Sequence, residues 1–253
     1  MSGHSKWATI KRKKGATDAA RGRLFTRLGK EITIAARDGG GSAQGNPRLR
    51  LAVQTAKKEN MPAENIKRAI QRGTGELPGV TYEEVTYEGY GPAGVAILVD
   101  VVTDNSNRTV SEIRHIFSRN NGNMGSAGSV AWMFHKKGTI TVPVAGQKIP
   151  PTEDDLLGVI LEAGADDMQG DGEQFTITTS PQNFEPVKKA LEDKGYIIDS
   201  ASISMIPQNT VKVTGRDAEN VMKLMEAMEE HDDIQNVSAN FDIDDKELAS
   251  ISH

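Results

Sequence analysis

Between Lys6 and Arg23 the sequence holds Lys6, Lys11, Arg12, Lys13, Lys14, Arg21 and Arg23 against a single acid, Asp18. Cations at this density, set among Gly, Ala and Ser, suit a polyanion: they neutralise successive phosphates and release counterions. Trp7 directly follows Lys6, where its ring could stack on a base or dock on the folded part of the chain. Such an arm has little apolar surface of its own to pack. Arg27, Arg48 and Arg50 carry the positive charge into the next segments, and Lys67, Arg68, Gln71 and Arg72 share one face of a predicted helix. The candidate nucleic-acid contacts are therefore Lys6, Trp7, Lys11, Arg12, Lys13, Lys14, Arg21, Arg23, Arg27, Arg48, Arg50, Lys67, Arg68 and Arg72.

Catalytic chemistry finds no comparable support. The string GYGPAG (89–94) matches G-x-G-x-x-G, but the dinucleotide fingerprint needs a helix opening at it. Here a strand follows and Pro92 sits in the middle, so the string reads as a turn between strands. His4, His115, His135, His231 and His253 are scattered, and none forms a helical metal pair. The acidic runs at 153–155, 166–167 and 242–245 are of the kind that favours helix first turns and solvated ends. No nucleophile elbow or phosphate-binding P-loop string occurs. The expectation is a non-enzyme with no catalytic residue, metal or cofactor.

The charge is unevenly divided. The 253-residue chain is formally −5, yet residues 1–80 contain 17 Lys+Arg and 6 Asp+Glu, a net +11, which leaves −16 for residues 81–253. Asymmetry of this size points to nucleic-acid or membrane contact, or to basic and acidic domains packed on each other. There is no cysteine, which excludes disulfides and thiolate metal sites. No apolar run reaches the roughly 18–20 residues of a membrane span. The basic N-terminus lacks the apolar stretch of a signal peptide, and its basic character runs on into predicted helix, unlike a transit peptide. A cytoplasmic protein without membrane contact is expected.

The elements that must carry these charges follow from periodicity. Residues 1–17 read as a flexible arm. A helix from about Asp18 has Leu24, Leu28, Ile32 and Ala35 at helical spacing beside Phe25, and stops at Gly39-Gly40-Gly41. Asn46-Pro47 caps a second helix, with Leu49, Ala52, Val53 and Ala56 inward. Pro62 opens a third, with Ile66, Ala69 and Ile70 on one face and Gly73 at its end. Three short helices with narrow apolar faces must pack together. Beyond Gly79 come strands at 80–90 and 95–103, then a helix from about Arg108 whose Thr109 and Glu112 have capping-box spacing. A glycine-rich loop follows at 119–129, and then Val130, Trp132 and Phe134 alternate as in a strand.

Residues 136–206 spell β-α-β-β-α-β, the ferredoxin-like pattern. The strand–helix–strand tail cannot bury its own sheet, and the block at 81–135 lacks a second half. Joining the two gives the expected domains: 1–80, basic arm and helices; 81–135 plus 207–243, a discontinuous ferredoxin-like unit; 136–206, a second one inserted in it. The class is α+β: an N-terminal three-helix domain with a basic arm, then two ferredoxin-like α/β units, one inserted in the other.

The stretches GHSKWATIKRKKGATDAARGRLFTRLGKEI, GNPRLRLAV, NMPAENIKRAIQRGTGE, YEGYGPAGVAILVDVVTDNSNRT and NMGSAGSVAWMF resemble the YebC family almost end to end. The resemblance implies a small helical domain followed by two α/β units, and a non-enzymatic regulator of gene expression. Members are described as DNA-binding transcriptional regulators. The family is also linked to translation, through mitochondrial relatives that activate synthesis of a respiratory-chain subunit and bacterial members connected with elongation through proline-rich stretches. Ser42-Ala43-Gln44 departs from the family, where an acidic residue and a proline are common.

Three functions remain open. An RNA- or ribosome-associated translation factor fits a basic arm that threads along a phosphate backbone. A DNA-binding transcriptional regulator would lay Lys67, Arg68, Gln71 and Arg72 in a major groove, with the helices around Asn60-Met61-Pro62 imitating a helix–turn–helix. An interaction scaffold would use the acidic α/β units to hold a protein partner. The first is preferred over the second, because the arm suits an RNA surface better than one short helix suits a groove.

Overall fold

The computed structural model describes residues 18–148, 150–244, 247–248 and 251. It divides into two compact units, one formed by Trp132–Asn209 and the other by the chain on either side of that segment.

The larger unit begins with three helices: α1 (Asp18–Gly39), α2 (Pro47–Lys58) and α3 (Ala63–Gly73). Their apolar faces form one core from Leu28, Ile32, Ala35, Ala36, Leu49, Ala52, Ala56, Met61, Ile66 and Ala69, with Leu24, Phe25, Val53 and Ile70 at its edge. Every residue that periodicity turned inward belongs to this cluster. The Asn46 side chain caps α2 by accepting from Leu49 N at 3.0 Å, and Pro47 takes the first turn, where no amide donor is needed. α1 is the spine against which α2 and α3 each pack. The end of α3 lies so close to α1 that a Cβ on Gly73 would overlap Thr33 O and the Ala36 side chain.

The sheet that follows has the order β3-β1-β2-β9, with β1 Glu83–Tyr90, β2 Ala96–Thr103, β3 Asn123–Met124 and β9 Ile234–Ala239, antiparallel throughout. β2 is buried along nearly all its length, as its apolar run, interrupted only by Asp100, requires. Helices α4 (Ser106–Arg119) and α7 (Gly215–Glu229) place Ile113, Phe117, Val221, Leu224, Met225 and Met228 in one core with Ile97, Val99 and Val101 of β2. Taking β2, β3, β1 and β9 as successive strands gives the 2-3-1-4 spatial order of a split βαβ sheet, with β1 moved to the front of the chain. Short strands β8 (Val211–Lys212) and β10 (Phe241–Asp242) form a separate parallel pair.

The Trp132–Asn209 unit runs β4 (Phe134–Pro143), α5 (Glu153–Glu162), β5 (Ala165–Gly170), β6 (Gln174–Thr179), α6 (Phe184–Asp193), β7 (Ser200–Pro207), with the sheet order β5-β6-β4-β7. That is the ferredoxin-like order without permutation. Thr152 caps α5 by accepting from Asp155 N at 3.2 Å. A Cβ on Gly138 would strike Phe184, so the glycine lets α6 seat on the sheet.

Two local expectations are corrected. The cap of α4 is Asn105, whose side chain accepts from Arg108 N at 3.1 Å, and not Thr109. Thr109 stands one turn further in and is fully buried. Residues Ala131–Met133 form a 3-10 turn, so Trp132 is 66% exposed and the strand starts only at Phe134. The string at 89–94 covers the end of β1 and the turn into β2, with Gly91 N donating to Val95 O at 2.8 Å and Ala93 and Gly94 at positive φ.

Candidate nucleic-acid interface

Lys6, Trp7, Lys11, Arg12, Lys13 and Lys14 lie outside the described residues. The rest of the candidate set divides into side chains facing solvent and side chains turned to partners within the fold.

Arg21 is exposed and Arg23 half-buried on the first turns of α1. On α3, Lys67, Arg68 and Arg72 are exposed while Ile66 and Ala69 are buried, as one amphipathic helix requires. Arg68 Nε is 3.3 Å from Glu64 Oε1 one turn earlier; both groups are over half exposed, and such a pair contributes little. Gln71 is half-buried behind them, its amide 3.5 Å from Glu76.

Three of the candidates also make contacts within the fold. Arg27 donates to the carbonyls of Glu229 and His231 at the end of α7, where the last carbonyls of a helix have no donor within it; burial lowers its pKa. Arg48 grips Glu31 at 2.7 and 3.0 Å and Glu84 at 2.5 and 3.2 Å, tying α2 to α1 and β1. Hydrogen bonds to Glu31 and then Glu84 raise its pKa further. Arg50 donates to Ala43 O and Gln44 O at 3.2 and 3.4 Å, closing the loop before α2. Of the described candidates, Arg21 on α1 and Lys67, Arg68 and Arg72 on α3 are exposed and outside these contacts.

Sequence reasoning missed Lys30. It sits 8% exposed on α1 and donates to Val102 O, Asp232 O and Asp233 Oδ1 at 3.1, 3.1 and 2.6 Å. Asp233, 6% exposed, also accepts from Thr109 Oγ1 at 2.8 Å and Arg108 Nη2 at 2.7 Å. Burial pushes its carboxyl up, but the hydrogen bonds from Lys30, Thr109 and Arg108 outweigh burial and hold it well below the usual carboxylate range.

Glu112, His231 and Asp233 bring one potential ligand atom each within 4.8 Å of one another. Here side chains already fill the cation positions: Lys30 and Arg108 each meet one Asp233 oxygen. His231 Nδ1 accepts from Asp233 N–H at 3.1 Å, which leaves its Nε2 proton facing Glu112 at 2.9 Å. The arrangement works as a neutralised polar network.

The glycine-rich loop is organised by a carboxylate of its own unit. Glu88 of β1 accepts from Gly128 N, Val130 N and Ala131 N at 2.6, 2.7 and 2.8 Å. Burial raises its carboxyl, and the three amide bonds more than compensate, so its pKa is lowered. Backbone amides converging on one anion are what a phosphate-binding loop offers, and here Glu88 occupies them.

A basic helical unit joined to two split-βαβ sheets, one interrupting the other, defines the class of molecule. The chain belongs to the TACO1/YebC family: the model of the family's N-terminal domain matches residues 5–76, and that of its second and third domains matches residues 82–241. It is 58% identical over 252 residues to a protein of Koribacter versatilis and 57% identical over 252 residues to one of Dictyoglomus thermophilum, each alignment covering 100% of both chains. Both relatives bear the name "Probable transcriptional regulatory protein". The crystal structure of a conserved hypothetical protein from Aquifex aeolicus is similar at a TM-score of 0.81 and 47% identity, covering 90% of this chain and 93% of that one. No helix among the described residues is long and apolar enough to cross a membrane.

Proposed function

We propose that this chain is a non-enzymatic, nucleic-acid-binding regulator of gene expression, and that its target is RNA on or near the ribosome. The observation that carries this reading is the division of charge, +11 over residues 1–80 against −16 over the remainder. The exposed Lys67, Arg68 and Arg72 add a basic face on folded structure to the cationic sequence of the arm. Residues 1–80 act as the contact domain. The discontinuous 81–135 plus 207–243 domain and the inserted 136–206 domain are acidic and are repelled by phosphates, so the field orients the protein arm-first. Their free surfaces are available to a protein partner.

A second reading, a DNA-binding transcriptional regulator, is favoured by the name that the relatives bear. One competition separates the two: purified ribosomes against promoter duplex for the labelled protein, at one stated salt concentration. Capture by ribosomes supports the translation reading. Sequence-dependent retention on duplex overturns it in favour of transcription control. Elongation through proline-rich stretches is then tested by toeprinting on a polyproline message with and without the protein.

A further inference from the structure

Between α1 and α3 lies an open cleft of about 320 Å³, at the small end of the range for ligand sites. Its lining is mixed. Phe25, Met61 and Ala69 supply apolar surface, and Asn65, Arg68 and Arg72 stand along α3 beside it. Arg72 makes no ion pair, and the Asn65 amide no hydrogen bond, among the described residues. Lys30 and Tyr82 close one end, the ammonium 5.7 Å from the ring centre. Lys30 is already held by its three acceptors, so Arg68 and Arg72 are the cations available to a ligand.

Gly29 opens this space. It lies within α1, where glycine costs about 1 kcal/mol relative to alanine. Its φ is not positive, and a Cβ there would meet nothing nearer than Met61 Cε at 3.9 Å, an ordinary contact. Neither backbone conformation nor helix packing therefore requires a glycine. Gly73, which does permit the close approach of α3 to α1, shows the contrast.

We infer that the cleft is a nucleotide subsite: it receives one unpaired base of a single strand on its apolar floor, with Arg68 and Arg72 on the adjoining phosphates. Arginine beside an apolar, partly aromatic wall suits the two chemical ends of a nucleotide, and Asn65 can both donate to and accept from a base edge. A paired base is stacked and cannot enter. The subsite thus adds a strand-state preference that the surface charge alone lacks. It rests on the proposed nucleic-acid function.

The test is fluorescence anisotropy of the full chain with a short unstructured single-stranded RNA, its DNA equivalent and the RNA duplex, at one fixed salt concentration. Gly29→Leu fills the cleft without changing charge, and Asn65→Ala removes the exposed amide without touching the core. Each is expected to weaken single-strand binding about tenfold, within the range of one lost base contact, and to change duplex binding less than twofold. The stronger of the RNA and DNA strands names the natural source. Circular dichroism confirms that Gly29→Leu is folded, and Asn65→Ala tests the cleft independently of that result. Wild-type affinity in both folded variants, or equal losses on single strand and duplex, overturns the subsite and leaves the wider function standing. A wild-type protein that binds no nucleic acid at low salt overturns both.

Discussion

Lys30 and Asp233 meet as a buried ion pair, Nζ to Oδ1 at 2.6 Å, across 203 residues of sequence. The pair joins the helix nearest the basic arm to the turn before β9. Lys30 also bonds two backbone carbonyls, and Asp233 gathers Thr109 and Arg108, so neither charge is left without hydrogen bonds. Removing one partner strands the other. Asp233→Asn is expected to lower unfolding stability by about 3–5 kcal/mol, the usual cost of breaking a buried pair. The Lys30→Met, Asp233→Asn double variant should lose less than the sum of the single losses. Urea denaturation of the four proteins measures this, and additive losses would show that the pair has no coupling.

The two buried carboxylates should also contribute to the acid response of the fold. Asp233 and Glu88 both have folded-state pKa values below their unfolded ones. The unfolded chain therefore binds their protons first as pH falls. The stability they contribute is complete above the ordinary carboxylate pKa of about 4 and is lost as pH drops through the lowered folded values. Thermal midpoints should be flat from neutrality to about pH 5 and then fall. Glu88→Gln should lower the midpoint at neutral pH, by about 1–3 kcal/mol of stability, because three loop amides lose a charged acceptor. Its midpoint should then fall less steeply on acidification; an unchanged slope would remove Glu88 from the acid response.

These long-range contacts mark the limit of what the sequence discloses. The three helices were readable because Leu28, Ile32, Leu49 and Ile66 repeat at a local period that only a shared core explains. The interrupted sheet was readable because the tail strands had no partner nearby. Lys30 looked like any helix lysine, since Asp233 is distant in the chain. Arg48 looked like a phosphate contact, since nothing at its own position reveals Glu31 and Glu84 converging on it. The alternation of Val130, Trp132 and Phe134 suggested a strand, but Glu88 draws the amides of Val130 and Ala131 to itself and bends the chain. Of the candidate interface, charge and helical phase identified the α3 face, whereas the cleft beside it needs the packing of α1 to exist.

Two kinds of basic residue should behave differently. Arg48→Ala is expected to affect stability by about 1 kcal/mol or less, since its ion pairs are partly solvated, and to leave nucleic-acid affinity within twofold. Lys67→Ala and Arg68→Ala should leave the thermal midpoint unchanged and weaken binding. Filter binding beside calorimetry decides the matter, and a binding loss in Arg48→Ala matching that of Lys67→Ala would place Arg48 in the interface.

Deleting residues 2–17 removes five Lys/Arg: Lys6, Lys11, Arg12, Lys13 and Lys14. If each neutralises a phosphate, the slope of log affinity against log salt concentration should fall by up to about 3.5 on a single strand and about 4.5 on duplex. The loss should be largest at low salt and nearly absent at high salt, where counterion release adds little. Circular dichroism and the thermal midpoint should match the full chain, because the helical core of the described residues, from Leu24 onward, is untouched by the deletion. Titrations at four salt concentrations measure the slope, and an unchanged slope would exclude the arm from phosphate contact whatever the affinity.

The inserted unit should fold alone. Its sheet order is complete within Trp132–Asn209, and its own helices supply Leu156, Ile160, Phe184, Val187 and Leu191 to its core. Its ends lie side by side, since Phe134 pairs with Pro207 and Gln208 N donates to Met133 O at 2.9 Å. Excising 132–209 and joining the flanks through a short Gly/Ser linker should therefore leave the remaining unit cooperative. The permuted sheet β3-β1-β2-β9 keeps every strand, because none of the four comes from the excised segment. Dispersed amide resonances from both the fragment and the excised chain are expected, with nucleic-acid affinity retained by the excised chain. Collapse of the fragment's spectrum would mean that the segment is stabilised from outside its own core.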